Sequence, residues 1–323
     1  MRAIVRHRYG PAEVFELREL ERPVPRSGEV LVKVAAAGVD RGVWHLMTGL
    51  PYLVRPFIGL RRPRRAVLGL DCAGVVVEVG PGVHALRVGD EVFGEGIGTF
   101  AEYARARADR LVLRPPELAP AEAAVVAISA VTALQGLRDV GRIAAGQRVL
   151  VIGASGGVGS YAVQLAKLAG AEVTAVCGPA KAELVRGLGA DTVLDHTRQD
   201  CTEGPAGYYD LILDLAGDHP LARLRRVLTP RGTLVLAGGE GGGRWFGGVA
   251  RQLRATLTDP FVRRRLRGLM ASTRQDDLLH LRELLTTGRL RVVLDRTFPL
   301  AEVPDAVRYL EEGKVRGKVA VLP

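Results

Sequence analysis

One segment constrains this chain more than any other: Val149-Leu-Val-Ile-Gly-Ala-Ser-Gly-Gly-Val-Gly159, followed by Ser160-Tyr-Ala-Val-Gln-Leu-Ala-Lys167. An apolar strand runs into glycines, and the glycines run into helix-forming sequence. Glycine lets the backbone turn sharply and approach a ligand closely. The helix start then offers unbonded N–H groups and the positive end of its dipole, which together suit a pyrophosphate. Gly156 is expected to give the close approach and Gly159 the tight helix–strand packing, with Ser155, Gly157 and Val158 completing the loop. The first glycine of the strict G-x-G-x-x-G pattern is replaced by Ala154. A glycine-rich turn serving the fold alone is the competing reading. The strand before and the helix after, on the sides the motif requires, favour a dinucleotide.

The surrounding pattern extends the same argument. Strand–helix alternation runs from Gln147–Ile152 through Gly156–Ala169, Glu172–Cys177, Lys181–Leu188, Thr192–Leu194, Leu211–Leu215, Pro220–Leu228 and Thr233–Ala237. That spacing predicts a doubly wound parallel sheet with right-handed crossovers, a Rossmann arrangement. Before Pro115 the character differs. Short β segments (Met1–Val5, Val30–Ala35, Leu68–Val79, Val88–Phe93) are separated by Gly and Pro turns, which suggests a compact β-barrel-like domain. Leu118–Leu137 reads as helical. Glu240–Gly248 reads as a mobile glycine-rich loop, and the basic stretch after it, to Met270, as a surface helix. The helix Leu278–Thr287 follows, then strands at Asp295–Leu300 and Gly317–Leu322 with the helix Val303–Glu312 between them. These last strands are candidates to rejoin the first domain. The expected division is 1–120 with 290–323, and 121–289.

At 323 residues the chain suits two domains, and 47% apolar with 25% charged residues is an ordinary globular mix. The formal net charge of +10 allows a polyanion partner, but its arginines are scattered and no nucleic-acid-reading motif accompanies them. Nucleic acid is therefore not expected as a partner, and neither is a membrane, since no apolar run is long enough to cross one. Three cysteines, Cys72, Cys177 and Cys201, lie far apart with no CxxC. With no apolar signal core near the first residue, the expected location is the reducing cytoplasm.

The second strand of the alternating region ends at Cys177-Gly-Pro-Ala-Lys181, where an NAD enzyme carries Asp or Glu for the adenine ribose hydroxyls. Without an acid near Cys177, a 2′-phosphate meets no repulsion. Lys181 is placed to pair with it, with His196 or Arg198 assisting from the next strand end. NADPH is the expected cofactor.

Several further segments carry a resemblance. They are Pro23-Val-Pro-Arg-Ser-Gly-Glu-Val-Leu-Val32, Gly89-Asp-Glu-Val-Phe-Gly94, Gly98-Thr-Phe-Ala-Glu-Tyr103 and Val131-Thr-Ala-Leu-Gln-Gly-Leu137. Glu183-Leu-Val-Arg-Gly-Leu-Gly-Ala-Asp191, Leu228-Thr-Pro-Arg-Gly-Thr233 and Tyr309-Leu-Glu-Glu-Gly-Lys-Val-Arg-Gly-Lys-Val319 continue it. With the glycine loop, they make the sequence resemble the medium-chain dehydrogenase/reductase superfamily, in its zinc-independent quinone oxidoreductase branch. The resemblance implies a GroES-like catalytic domain around the Rossmann domain, with the cofactor in the cleft between them. It also implies Thr132, Gly238, Gly239 and Lys318 at the nicotinamide end, and a homodimer. A pairing edge is sought at Thr233–Ala237, taken as the sheet's last strand, or near Val292–Leu294.

Zinc relatives in this superfamily use Cys, His and a Cys or acidic ligand. Here Asp40 stands where a ligand Cys would be, and Gly69-Leu70-Asp71 where Gly-His-Glu would be. Asp40, His45 and Asp71 match no zinc spacing, so no metal is expected. The expected reaction is hydride transfer to a conjugated, electron-poor acceptor, a quinone or an α,β-unsaturated carbonyl. Asp40, Trp44, Tyr52 and Ser129 are the candidate catalytic residues, Tyr52 as proton donor or oxyanion partner. For Trp44 and Tyr52 ordinary packing is the alternative. The segment Val39-Asp40-Arg41-Gly42-Val43 departs from the branch's usual Val-Asn-Pro-x-Asp. That departure keeps two other readings open: a specialised biosynthetic enzyme of the same fold (an enoyl reductase or a repurposed non-redox catalyst), or a non-catalytic NADPH- or RNA-binding protein.

Overall fold

A computed structural model describes residues 1–217, 219–238, 243–259 and 264–323. The chain forms two compact units, Met1–Val131 with Thr273–Pro323, and Thr132–Ser272.

In chain order the first unit opens with the antiparallel pair β1 (Arg2–Val5) and β2 (Glu16–Glu19). Then come β3 (Glu29–Val39), the helices α1 (Arg41–Thr48) and α2 (Arg55–Ile58), and strands β4 (Asp71–Val79), β5 (Glu91–Glu95), β6 (Tyr103–Arg107) and β7 (Leu111–Leu113). Helix α3 (Pro120–Ala123) and helix α4 (Ala127–Gln135) lead into the second unit. There β8 (Arg148–Ile152), α5 (Gly157–Leu168), β9 (Glu172–Cys177), α6 (Ala182–Gly187) and β10 (Thr192–Asp195) make the first half. The second half is β11 (Tyr209–Asp214), α7 (Leu221–Val227), β12 (Leu228–Leu236), α8 (Gly243–Thr258) and β13 (Arg265–Gly268). The chain returns to the first unit with α9 (Gln275–Thr286), β14 (Leu294–Pro299), α10 (Val303–Glu311) and β15 (Lys318–Leu322).

The first unit's sheet has the order β14-β15-β3-β4-β5-β7, with β6 also on β3. In its longest strand, β3, exposed Lys33 and Ala35 alternate with buried Val32, Val34 and Ala36, while Val30–Val32 and Ala36–Val39 are buried throughout. Strand β15 pairs antiparallel with β3, Val319 opposite Val39, so the C-terminal segment does rejoin this unit. Its core gathers Met47, Phe100, Val303 and Val307 with the β3 valines.

The second unit's sheet is parallel throughout, in the order β10-β9-β8-β11-β12-β13. Its central strands are apolar without alternation: Val149–Val151, Leu211–Leu213 and Leu234–Leu236 are all fully buried. That is the pattern of strands covered on both faces.

Three expectations need correction. Thr233–Ala237 is not the last strand, because β12 pairs with β11 on one side and with β13 on the other. The edge strand β13 lies in the stretch read as helical. Its Leu266 is fully buried between exposed Arg265 and Arg267, a two-residue period too short to stand out among basic residues. The glycine-rich loop also closes earlier than expected. Residues 240–242 lie outside the described residues, but helix starts at Gly243 and is broken at Gly247, where φ is 49°. Among the described residues, no helix is long and apolar enough to cross a membrane.

Candidate active site

The glycine loop turns at Gly153, whose φ of 86° is left-handed. The amides of Gly153 and Ala154 both donate to the carbonyl of Val176 in β9, at 3.1 and 3.0 Å. Gly156 caps α5 without a side-chain hydrogen bond, and the Ser160 amide makes the first helical bond back to its carbonyl. The amides of Gly157, Val158 and Gly159 therefore have no acceptor within the helix. Gly156, Gly157 and Val158 are partly open to solvent, while Ser155 is buried.

The two glycines differ in what they permit. A Cβ at Gly159 would lie 2.2 Å from the Gly153 carbonyl oxygen, so helix and strand touch through backbone. A Cβ at Gly156 would meet only that oxygen, at 3.5 Å. Space at Gly156 lies beside free helix amides, and this donor set fits a dinucleotide diphosphate.

At the end of β9, Cys177 is buried, and burial pushes its thiol above the usual range. The expectation that nothing acidic stands near it is corrected. Parallel register brings Asp195, the last residue of β10, alongside Cys177, and its charge also raises the thiol. The Asp195 carboxylate is engaged, accepting from the Thr197 amide and hydroxyl at 2.9 and 2.8 Å, with Arg198 Nε 3.8 Å away. These hydrogen bonds hold its carboxyl below the ordinary range. Basic groups surround it. His196 is exposed, its Nε2 3.5 Å from where a Gly178 Cβ would be, and the charges of Lys181 and Arg186 act on the same thiol. The Lys181 amide donates to the Gly178 carbonyl at 3.0 Å, which ties the β9–α6 turn.

Gly238 follows β12, its amide 3.2 Å from the Asp214 carbonyl, and Thr132 is half-buried in α4. Gly239 lies outside the described residues.

In the first unit, Asp40 caps α1: its Oδ1 accepts from the Val43 amide at 3.2 Å. Its buried Oδ2 has no hydrogen-bond partner. Trp44 Nε1 donates to Glu311, and its ring meets His45 edge-on at 4.9 Å. Tyr52 opens a short turn with the Arg55 guanidinium 4.5 Å over its ring. Ser129 is buried in α4. Sequence reasoning did not pair Lys318 with Asp71. Both are buried, with Nζ 3.5 Å from Asp71 Oδ2, while Oδ1 accepts from the Ile128 amide at 2.8 Å. Burial pushes the Asp71 carboxyl up to about 7, against the pull of Lys318 and with a further push from Asp40.

In the first unit an ammonium stands 3.5 Å from one oxygen of Asp71, and His45 Nδ1 lies 3.0 Å from the Leu50 carbonyl. The His, Cys and carboxylate atoms that do converge, among the described residues, are those of Asp200, Cys201 and His219 in the second unit. Sequence reasoning missed this group because His219 is 18 positions from Cys201.

The chain matches the Alcohol dehydrogenase GroES-like domain family over residues 26–116, and the Zinc-binding dehydrogenase family over residues 188–321. A GroES-like unit joined to a glycine-loop dinucleotide unit defines an oxidoreductase of the nicotinamide-using class. Among its relatives, the chloroplast envelope quinone oxidoreductase homolog of Arabidopsis thaliana is 33% identical over 326 residues, covering 97% of this chain and 95% of the relative. The chloroplastic NADPH-dependent alkenal/one oxidoreductase of the same plant is 31% identical over 338 residues, covering 100% and 80%. The solved quinone oxidoreductase from Coxiella burnetii superposes with a TM-score of 0.89 at 27% identity, covering 100% and 99%. The chain belongs to the medium-chain dehydrogenase/reductase superfamily, in its quinone oxidoreductase branch.

Proposed function

We propose that this oxidoreductase passes a hydride from NADPH to a quinone or an α,β-unsaturated carbonyl, without zinc. The observation that carries the cofactor reading is the open space at Gly156 beside the free amides of Gly157, Val158 and Gly159, with no carboxylate in Cys177–Lys181. The relatives named as a quinone oxidoreductase and an alkenal/one oxidoreductase support the acceptor class.

In this reading the three amides hold the diphosphate, and Lys181, His196 and Arg198 face the 2′-phosphate. Within the second unit, Thr132 and Gly238 serve the nicotinamide end of the cofactor. Bound there, NADPH supplies the hydride; the chain supplies position, dryness and a proton. Conjugation in the acceptor spreads the negative charge that develops, so no Lewis acid is needed. Tyr52 stabilises the oxyanion or donates the proton, and Asp40, Trp44 and Ser129 shape the pocket. Three free, buried cysteines suit a reducing compartment, the cytoplasm. The reading includes a homodimer, for which β14, the edge of its sheet, offers unpaired backbone. Sedimentation at monomer mass in the micromolar range would count against it.

The test is a titration with NADPH and NADH, followed by turnover with quinones, enones and saturated ketones in the presence of a chelator. Tighter NADPH binding and chelator-resistant turnover of quinones or enones are expected. Preference for NADH, or turnover of saturated ketones that the chelator abolishes, overturns the reading.

A further inference from the structure

In the second unit, the loop after β10 and the segment after β11 bring three metal-ligand side chains together. His219 Nε2 lies 3.7 Å from Cys201 Sγ and 3.5 Å from Asp200 Oδ1, and all three ligand atoms fall within 4.8 Å of one another. The Nε2–Oδ1 separation is long for a good hydrogen bond, and the Nε2–Sγ contact is at the long end for sulfur. They are close to the spacing of about 3.3–3.6 Å that ligand atoms take around a tetrahedral Zn²⁺, with bonds of about 2.0–2.3 Å.

The ring's polar contacts fall on Nε2, which faces both a thiol and a carboxylate. A cation there contacts all three groups at once and leaves the ring proton on Nδ1. The ligands are also held in place. Asp200 Oδ1 accepts from the Thr202 amide and hydroxyl at 2.8 and 2.7 Å, and Oδ2 accepts from Arg223 at 3.1 Å. Arg251 Nη2 donates to the His219 carbonyl at 2.7 Å. Cys201 is buried, while Asp200 and His219 are only partly covered, which leaves an approach for the ion and a water.

We infer that Asp200, Cys201 and His219 form a three-ligand site for a thiophilic divalent cation of the Zn²⁺ type, with water in the fourth position. Thiolate and imidazole select such a cation over Mg²⁺ or Ca²⁺. On binding, the Sγ–H bond breaks, its proton passes to bulk water, and the Sγ–metal bond forms. The metal then clasps the two loops, on residues that hydride transfer does not use.

The experiment takes the full chain, stripped with chelator and desalted, and titrates it with Co²⁺ followed by Zn²⁺. One equivalent of Co²⁺ should give a thiolate-to-metal charge-transfer band, which Zn²⁺ then bleaches. Metal-loaded protein should unfold at higher temperature. Cys201→Ser should lose the band, and His219→Gln and Asp200→Asn should each weaken Co²⁺ at least tenfold. Circular dichroism without metal checks the fold of each variant; a misfolded one is set aside and the others decide. Absence of the band from the wild-type chain overturns the site. So does an undiminished band in Cys201→Ser, since the thiolate is then Cys72 or Cys177.

Discussion

Lys318 Nζ stands 3.5 Å from Asp71 Oδ2, with the two side chains 2% and 0% exposed, so the last strand of the first unit carries a buried cation to a carboxylate on β4. Removing one partner of such a pair leaves the other charge buried and unmatched. Lys318→Met should therefore destabilise the protein by roughly 3–5 kcal/mol, read from the denaturant midpoint. Asp71→Asn with Lys318→Met together should recover much of that loss. A Lys318→Met midpoint equal to wild type would show that the pair contributes nothing.

The same carboxyl gives a pH dependence. Burial raises Asp71 to about 7 in the folded chain, above its value near 4 in the unfolded chain. Between those values the folded state binds more protons, so this group's stabilisation is full at low pH and is lost as pH rises through about 7. Denaturant midpoints should fall from pH 5 to pH 8 more steeply in wild type than in Asp71→Asn. Equal slopes would remove Asp71 as the source.

The two loop glycines should separate fold from ligand. At Gly159 a methyl group meets backbone at 2.2 Å, so Gly159→Ala should destabilise by about 1–3 kcal/mol. At Gly156 the nearest atom is 3.5 Å away, so Gly156→Ala should fold normally yet bind NADPH at least tenfold more weakly. Calorimetric titration beside thermal unfolding measures both. Unchanged NADPH affinity in Gly156→Ala would mean that no diphosphate uses that space.

Lys181 and Arg198 should act on the 2′-phosphate alone. Each is a solvent-facing contact, about 0.4–1 kcal/mol, so Lys181→Ala and Arg198→Ala should each raise the NADPH Kd about two- to fivefold. The NADH Kd should stay put. Equal losses for both cofactors would reassign the residues to general charge or folding.

Tyr52→Phe should lower kcat with an enone by about 10²-fold or more while leaving the NADPH Kd unchanged, if its hydroxyl serves the proton or the oxyanion. Stopped-flow single turnovers report the chemical step directly. Wild-type rates in Tyr52→Phe would assign the ring to packing with Arg55.

The second unit was legible because its signals are local. An apolar run, a glycine loop and a helix follow one another within twenty residues, and β9 begins and ends where its composition said. Strand β13 was not legible, because its one buried residue, Leu266, sits in a sequence rich in arginine. The site residues divide the same way. Gly156 and Gly159 announce themselves by spacing. The partners Asp71 and Lys318 are 247 positions apart, and only the sheet register brings them together. Asp195 escaped notice for the same reason: nothing in one strand's sequence tells which residue ends the neighbouring strand.

Strand β15 lies between β14 and β3 in its sheet, yet it leaves the ribosome after the whole of the second unit. The parallel sheet is continuous in sequence and can close during synthesis. The other sheet must wait with a slot open beside β3 until Lys318–Leu322 emerges. A stalled or clipped chain ending before Val315 would thus carry a finished nucleotide unit tethered to an open, sticky one, the form that quality-control proteases and chaperones recognise.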